Sequence, residues 1–288
     1  MSCGDDGGGG GNDDELAAIG FATPTVATVA YAELEEGRWT KQGPANWSCL
    51  NTPSDEVPTL AEIELSGTLL DFQDDEPLPG AIVTLYGDGG ISSSPLESTT
   101  ADADGKYTLT LPSGGTNWAF KLEVAEALDT YPLNRYFDPN SSSQTEDLDS
   151  VSVLTAQALP AFIGVTRTPG LGIVAGRVHD CDGNRVEGTI ATVSDTPDLP
   201  SHIEGAVSYY FSALSTSLPV RHSVQSETNT DGVFVSIELP PGQERYLQVW
   251  GFVDDADLAD GEMTLLAQES TPIIADAVVT VSLRPLRQ

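Results

Sequence analysis

Residues 99–112 read TTADADGKYTLTLP and place a turn dipeptide directly before an alternating segment. Asp104-Gly105 is typical of a two-residue turn between antiparallel strands, because these residues tolerate the positive φ that such a turn requires. Tyr107, Leu109 and Leu111 then alternate with lysine and threonine, so they fall on one face of a strand. The stretch therefore predicts half of a β-hairpin with one buried face.

The same pattern recurs in residues 227–242, which read ETNTDGVFVSIELPPG. Each copy also opens with a glycine-containing strand, a polar turn and a second strand led by glycine, in residues 63–85 and again in residues 173–193. Self-similarity of this kind indicates a structural unit that occurs twice. We expect turns at Asp104-Gly105 and at Asp231-Gly232.

This order of glycine-led strands and Asp-Gly turns resembles the carboxypeptidase regulatory-like family and its transthyretin-like and Cna-B-like relatives, which are prealbumin-type β-sandwiches. The resemblance covers about residues 60–126 and 172–253. It implies an all-β protein with two tandem prealbumin-like β-sandwich domains, and the composition of the N-terminal residues predicts a disordered tether before them. It implies little about activity, because the family decorates enzymes, adhesins and envelope lipoproteins alike.

A length of 288 residues allows about two domains of ordinary size. The N-terminal residues are too polar and too rich in glycine to offset the entropy of ordering. We expect four segments: a disordered Gly/Asp tether (1–20), an irregular lead segment (21–58), a first β-sandwich (59–167) and a second β-sandwich (168–288). The aromatic Trp47 in the lead segment is expected to pack as a plug on the first sandwich.

Two details separate the second copy from the first. The strand that follows its Asp-Gly turn is one residue longer, up to the next proline, than the corresponding strand of the first copy. This extra residue predicts a β-bulge near Val235-Ser236 that brings Phe234, Ile237 and Leu239 onto one face. It also carries an insertion between residues 194 and 228 that contains the aromatic run 209–211. This run is either an extra strand or a ligand patch, and its alternation favours a strand.

The chain carries 44 acidic and 12 basic residues, a net charge of −32. This charge argues against a nucleic-acid partner and against binding of anionic lipid through the protein surface. Calcium is the one inorganic cofactor with a candidate, because Asp102-x-Asp104-Gly105 resembles the opening of an oxygen-ligand loop. Position twelve of such a loop is Ser113 instead of glutamate, and the same residues are explained by a turn. We therefore expect no cofactor.

Cys3 is followed by a run of glycine and aspartate, which resembles the mature start of a bacterial lipoprotein. We expect Cys3 to carry a lipid that anchors the protein to a membrane of the cell envelope, either at the outer membrane or on the extracellular surface. The alternative is an ordinary thiol, because no apolar signal precedes Cys3.

Once Cys3 is assigned to the anchor, Cys49 and Cys181 remain as one pair. Oxidising surroundings favour a disulfide between them. Cys49 precedes the first strand of the first sandwich and Cys181 lies in the first turn of the second, so a bridge is expected to fix the two sandwiches relative to one another. The alternative is two separately buried thiols.

Catalytic motifs are sparse in the sequence. His179, Asp180 and Cys181 have suitable chemistry, but consecutive residues of a strand point to opposite faces and cannot form a triad among themselves. We therefore expect a protein that is not an enzyme and acts as a structural spacer or protein-interaction module. The alternatives are a regulatory fragment of a secreted hydrolase system and a carbohydrate-binding module that uses four exposed aromatic residues, Trp118, Tyr131, Tyr136 and Tyr209.

Overall fold

β-Strands dominate the computed structural model, which describes residues 22–35, 38–54, 56–88, 90–212 and 218–288. Within these residues there are 19 strands and two short α-helices. The architecture is the all-β sandwich that the sequence predicts. The predicted tether of residues 1–20 lies outside the described residues.

The strands fall into three groups along the chain. The lead segment contains β1 (Val29–Glu35) and β2 (Arg38–Pro44). The first sandwich contains β3 (Ile63–Asp71), β4 (Ile82–Tyr86), β5 (Glu97–Thr100), β6 (Lys106–Leu111), β7 (Ala119–Glu123), β8 (Ala127–Leu133), β9 (Ser143–Thr145) and β10 (Leu148–Ser152), followed by helix α1 (Val153–Phe162). The second contains β11 (Gly172–Val178), β12 (Arg185–Glu187), β13 (Thr189–Ser194), β14 (Val207–Phe211), β15 (Pro219–Val220), β16 (Val233–Leu239), β17 (Glu244–Gly251), helix α2 (Asp255–Asp260), β18 (Thr264–Pro272) and β19 (Ala277–Leu283).

The first sandwich packs two layers face to face. One layer contains β6, β3, β9 and β10, and the other contains β5, β4, β7 and β8. Alternation along β6 buries Tyr107, Leu109 and Leu111, as predicted, and exposes the residues between them. Each fully buried leucine in this core stabilises the fold by about 1.5 to 3 kcal/mol relative to an exposed one.

The second sandwich repeats the strand pairing of the first. The antiparallel pairs β3–β6, β4–β7 and β7–β8 correspond to β11–β16, β13–β17 and β17–β18. The parallel pair β3–β10 corresponds to β11–β19. The structure therefore confirms that the unit occurs twice. The insertion supplies β14, which pairs with the edge of β16, so the strand interpretation of residues 209–211 is confirmed.

The Asp-Gly turns differ from the predicted two-residue hairpins. β5 pairs with β4 and β6 pairs with β3, so the turn before β6 connects two different layers. Gly105 has φ +74° and its carbonyl accepts a hydrogen bond from the Leu69 amide at 2.9 Å. Gly232 has φ +63° and its carbonyl accepts from the Val178 amide at the same distance. The turn residues are positioned as predicted, but they form a corner between layers.

A glycine faces an aromatic ring across the strands next to each corner. Gly67 pairs with Tyr107, and Gly176 pairs with Phe234. A Cβ atom on Gly176 would lie 2.4 Å from the Phe234 ring, and one on Gly67 would lie 1.8 Å from the Glu146 carbonyl oxygen. Only glycine allows the ring and the neighbouring backbone to approach this closely.

The lead segment belongs to the second sandwich, which corrects two predictions. β1 and β2 pair antiparallel instead of forming irregular chain, and β1 also pairs with β12 of the second sandwich. Trp47 is buried in the core of that sandwich, where its indole Nε1–H donates to Thr28 Oγ1 at 2.8 Å. The C-terminal residues also run beside the lead segment, since the Asn51 amide donates to the Leu286 carbonyl. The first sandwich is therefore inserted between two parts of the second.

The two sandwiches share one continuous sheet. β8 of the first sandwich pairs in parallel with β19, the last strand of the second, from Asp129↔Ala277 to Leu133↔Val281. β19 in turn pairs in parallel with β11. Helix α1 covers the outer face of this sheet, where Ala156 and Ile163 pack against residues of β8, β11, β16 and β19.

The predicted bulge lies further along β16 than expected. The register shift falls between the pairs Val174↔Ser236 and Gly172↔Leu239, and Glu238 has φ +60°. Ile237 consequently packs on the face covered by helix α1, whereas Phe234 and Leu239 lie in the core of the second sandwich. The bulge comes after Ile237, so it cannot bring Ile237 onto the face of Phe234.

The corner geometry predicts that Gly105→Ala destabilises the protein more than Gly80→Ala does. Both glycines have nearly the same φ, +74° and +75°, but a Cβ on Gly105 would lie 3.0 Å from the Leu69 carbonyl oxygen while one on Gly80 has open space. We expect Gly80→Ala to cost about 1 kcal/mol for the left-handed conformation alone. Gly105→Ala should cost about 1 to 3 kcal/mol more because the backbone must shift. Urea unfolding of the two variants measures the difference, and equal losses would contradict the account.

Candidate functional site

Three adjacent parallel strands end at the same edge of the continuous sheet. In the register of β8, β19 and β11, Leu133 lies beside Val281 and Leu283 beside Val178. The residues that follow these strands are therefore brought together. Asn134 and Arg135 follow β8, His179 follows β11 and Arg284 follows β19.

These strand ends line a cleft of about 910 Å³ between the two sandwiches. Its walls contain polar residues from both sandwiches, from the turn after β11 and from the C-terminal residues. Five arginines line it: Arg135, Arg177, Arg185, Arg284 and Arg287. Acidic residues line it as well: Glu56, Glu146, Asp147, Asp180, Asp182 and Glu269.

Arg135 links the first sandwich to β19. Its Nη1 lies 3.1 Å from Glu146 Oε1 and 3.3 Å from Ser282 Oγ. Burial lowers the pKa of the Arg135 guanidinium, and the neighbouring charge of Arg177 lowers it further, against the opposing effect of Glu146. Arg177 itself lies 3.6 Å from Asp149 across the boundary between the sandwiches.

His179 and Arg185 form a second cationic contact in the cleft. Burial, together with the charges of Arg185, Arg284 and Arg177, holds the pKa of His179 well below its usual value of 6.5. The imidazole is therefore neutral at pH 7, and its Nε2 accepts a hydrogen bond from Arg185 Nη1. Burial and Arg177 also lower the pKa of Arg185 to about 10. The Arg185 guanidinium lies 5.9 Å from the ring centre of Trp39.

Arg284 and Glu269 of the second sandwich contact residues of the first sandwich and of the lead segment across the cleft. The Arg284 guanidinium lies 4.6 Å from the ring centre of Tyr136 and 2.8 Å from Glu56 Oε1. Glu269 Oε1 accepts a hydrogen bond from Asn134 Nδ2 at 2.8 Å. Burial, with a smaller effect from Glu56, raises the pKa of Glu269 to about 7.

The two carboxylates considered for calcium, Asp102 and Asp104, lie exposed in the turn before β6. Asp102 Oδ1 accepts hydrogen bonds from the amides of Asp104 and Lys106, each at 2.9 Å, and these bonds lower its pKa. Asp180 Oδ1 accepts from the amides of Asp182 and Asn184 in the same way. The Asp-x-Asp-Gly pattern thus supplies a turn whose first carboxylate is bonded to its own backbone. Among the described residues, no group of three or more histidine, cysteine or acidic side chains is placed to hold a metal ion.

Cys49 and Cys181 form a disulfide, with Cα atoms 5.8 Å apart. The bridge joins the lead segment to the second sandwich, because the lead segment packs in that sandwich. The Cys181 amide also donates to the Asn46 carbonyl, and the Asn46 amide donates to Asp180 Oδ2. The expectation that the bridge itself ties the two sandwiches is therefore corrected. Cys3, the predicted lipidation site, lies outside the described residues.

The four aromatic residues considered for glycan binding do not form one surface. Trp118 is 1% exposed in the core of the first sandwich, and Tyr209 is 8% exposed and stacked on the His222 ring. The expectation that these two are exposed is corrected, because apolar packing buries them. Tyr131 is half-buried beside Lys121, and Tyr136 is half-buried in the cleft.

Sequence reasoning did not identify the arginine cleft. The residues concerned are scattered over positions 135 to 287, and each stands alone in the sequence. A usable signal was their scarcity, since the chain has only nine arginines. The parallel pairing that gathers them has no local signature.

No protein-family profile matches the chain, and no curated protein matches it. The chain is similar in structure to the TIE protein of Bacillus anthracis, with 12% identity, 78% of this chain covered and a TM-score of 0.27, and it spans 34% of that chain. It is similar to the shaft pilin SpaA from Lactobacillus rhamnosus GG, with 12% identity, 78% of this chain and 97% of that chain covered and a TM-score of 0.22. An intradiol ring-cleavage dioxygenase from Tetranychus urticae has 11% identity, 45% and 96% coverage and a TM-score of 0.24. Such values assign no function to the chain.

The environment of Glu269 predicts a pH-dependent stability. Its folded pKa of about 7 lies above its ordinary value of 4.5, so the stability it contributes is fully present below about pH 4.5 and is lost as the pH rises through 7. Glu269→Gln keeps a side-chain oxygen that accepts the hydrogen bond from Asn134, but it removes the carboxyl group that titrates. We expect the unfolding free energy of the wild type, relative to this variant, to fall between about pH 5 and pH 8.

Urea unfolding at a series of pH values measures this difference. Glu262→Gln serves as the control, because it removes the same charge from an exposed position of the same sandwich. A difference between wild type and Glu269→Gln that stays constant over the range would contradict the assignment.

Proposed function

We propose that the protein is a non-enzymatic structural spacer or protein-interaction module of the bacterial cell envelope. The observation that carries this proposal is the continuous sheet, in which β8 and β19 join two sandwiches into one body. A spacer must hold its ends at a fixed separation, and a backbone ladder between domains does so more firmly than a flexible linker.

Side-chain contacts reinforce the junction between the sandwiches. Asn134 Nδ2 donates to the Ser282 carbonyl at 2.8 Å, at the end of the β8–β19 ladder. Phe72 of the first sandwich and Phe211 of the second meet edge to face, with ring centres 6.2 Å apart. The junction thus combines a backbone ladder, a side-chain hydrogen bond and an aromatic contact. Together these contacts favour a single orientation of one sandwich relative to the other.

The chemistry of the cleft supports binding over catalysis. Two side chains there have the usual chemistry of a general base, and both are engaged: His179 Nε2 accepts a hydrogen bond from Arg185, and the buried Glu269 accepts one from Asn134. Arginine holds its proton at neutral pH and recognises anionic groups by hydrogen bonding.

The disulfide supports an extracytoplasmic location, because such bridges persist in oxidising compartments. Anchoring through a lipid on Cys3, at the outer membrane or the cell surface, is part of the proposal and rests on the glycine and aspartate run that follows this residue. Membership of the carboxypeptidase regulatory-like and Cna-B-related sandwiches is proposed on the repeated corners and their glycine–aromatic pairs. No helix of the described residues is long and apolar enough to cross a membrane.

A distance measurement between the sandwiches tests the spacer. Spin labels at Lys106→Cys and Glu262→Cys, both exposed and on different sandwiches, are introduced with Cys3→Ser. Double electron–electron resonance should give one narrow distance distribution, because the ladder fixes the sandwiches. A broad distribution would contradict the spacer.

Removal of the disulfide provides a matched comparison. Cys49→Ser with Cys181→Ser should lower the free energy of unfolding by about 2 to 5 kcal/mol, since the bridge closes a long loop. The unfolding free energy is measured by urea denaturation. The distance distribution should stay narrow, because the bridge staples the lead segment to the second sandwich. A distribution that broadens on removal would show that the bridge, and not the ladder, sets the orientation.

Lipid anchoring is tested separately on intact cells of the native host. Mass spectrometry of the N-terminal peptide should show a lipid on Cys3, and Cys3→Ala should release the protein from the envelope. Detection of only the unmodified N-terminal peptide would contradict lipid anchoring through Cys3.

A further inference from the structure

Basic residues are concentrated in one place on a strongly acidic protein. The chain has 44 acidic and 12 basic residues, and nine of the basic residues are arginines. Five of these nine line the cleft between the sandwiches. A fold that needed arginine only for solubility would have no reason to gather its few guanidinium groups at one edge of a sheet.

The cleft is assembled from both sandwiches. Arg135 comes from the chain after β8, whereas Arg177 lies on β11 and Arg185 on β12. Ser282 Oγ, which contacts Arg135, comes from β19. The arrangement exists only because β8 and β19 are paired, so it is a property of the junction itself.

The arginines lie close enough to raise one another's electrostatic energy. Arg177 lowers the pKa of both Arg135 and Arg185, in addition to the effect of burial. Three arginines depress the pKa of His179 in the same way. Like charges that are crowded in this manner are stabilised by a negatively charged group between them.

The carboxylates that pair with these arginines are held weakly enough for a bound anion to displace them. Glu146 and Glu56 line the cleft and pair with Arg135 and Arg284, and their side chains are 30% and 36% exposed. Asp149, which is outside the cleft lining, pairs with Arg177 and is 32% exposed. Ion pairs with that much solvent contact are weak, typically about 0 to 1 kcal/mol, so an anion can displace them. Asp180 is held by the amides of its own turn.

Two buried donors in the cleft lack a hydrogen-bond partner among the described residues, namely Arg135 Nε and His179 Nδ1. Because His179 Nε2 accepts from Arg185, the proton of the neutral ring is assigned to Nδ1. Buried donors are costly unless they are paired, so their presence beside the arginines indicates a site that an additional acceptor completes.

The overall charge of −32 does not by itself decide the field in the cleft, where five arginines and six acidic side chains lie together. Screening at physiological ionic strength limits exposed charges to a range of about 8 Å. An anion in the cleft therefore responds mainly to the groups that line it. The guanidinium fork also matches the geometry of carboxylate and phosphate oxygens.

We propose that the cleft between the two sandwiches binds a multiply charged oxyanion, either a phosphate or a polycarboxylate, through Arg135, Arg177 and Arg185. The site goes beyond the spacer function and is independent of it, because a rigid body can lack a ligand.

Isothermal titration calorimetry of the full chain with pyrophosphate and with citrate tests the site. We expect at least one of the two to bind with a dissociation constant below about 1 mM, and their ratio identifies the preferred oxyanion. Arg177→Gln should weaken binding at least about tenfold, because a direct charge-assisted hydrogen bond is lost. Arg185→Gln is a second variant, at another of the three proposed ligands, and should weaken binding for the same reason.

Arg167→Gln is the matched control. Arg167 pairs with Asp276 outside the cleft, so this variant removes the same charge and a comparable ion pair. It should bind as the wild type does, and thermal unfolding with the disulfide intact confirms that each variant is folded. The proposal is overturned if neither anion binds the wild type, if either Arg177→Gln or Arg185→Gln binds unchanged, or if Arg167→Gln weakens binding as much as Arg177→Gln.

Discussion

The parallel ladder between β8 and β19 is the contact on which the rest of the structure depends. It spans the five residue pairs from Asp129↔Ala277 to Leu133↔Val281 and converts two sandwiches into one sheet. Each net backbone hydrogen bond is modest, about 0.5 to 1.5 kcal/mol, so the main consequence is geometric. The ladder fixes where the strands end, and those ends build the arginine cleft. Rigidity and binding surface thus have one physical origin.

Within each sandwich the constraint is the corner that carries the chain from one layer to the other. The corner glycine accepts a hydrogen bond from β3 or β11, the partner of the strand that follows the corner, and the aromatic residue two positions later covers a second glycine on that partner strand. Gly105 with Tyr107 and Gly232 with Phe234 perform these roles in the two copies. Identical corners explain why the two copies keep the same pairing although the second has gained β14 and β15 at its edge.

Local chemistry explains which features the sequence predicts. Asp-Gly turns, the buried face of β6 and the duplicated order depend on neighbouring residues, so they can be derived from short stretches. The parallel partner of β8 and the docking of Trp47 on the second sandwich depend on contacts between distant segments that leave no local pattern. The cleft was missed for the same reason. Arg135 and Arg177 are isolated in the sequence, and only the shared sheet brings them together.

Hydrogen exchange at the β8–β19 ladder tests the central claim most directly. If the ladder joins the sandwiches into one body, the ladder amides within residues 129–133 and 277–281 exchange as slowly as those of the inner pair β11–β16. The amides of the exposed turn at residues 73–75 provide the fast reference within the same sample. Exchange of the ladder amides at the rate of this turn, while β11–β16 stays protected, would show two separate sandwiches and would contradict the account.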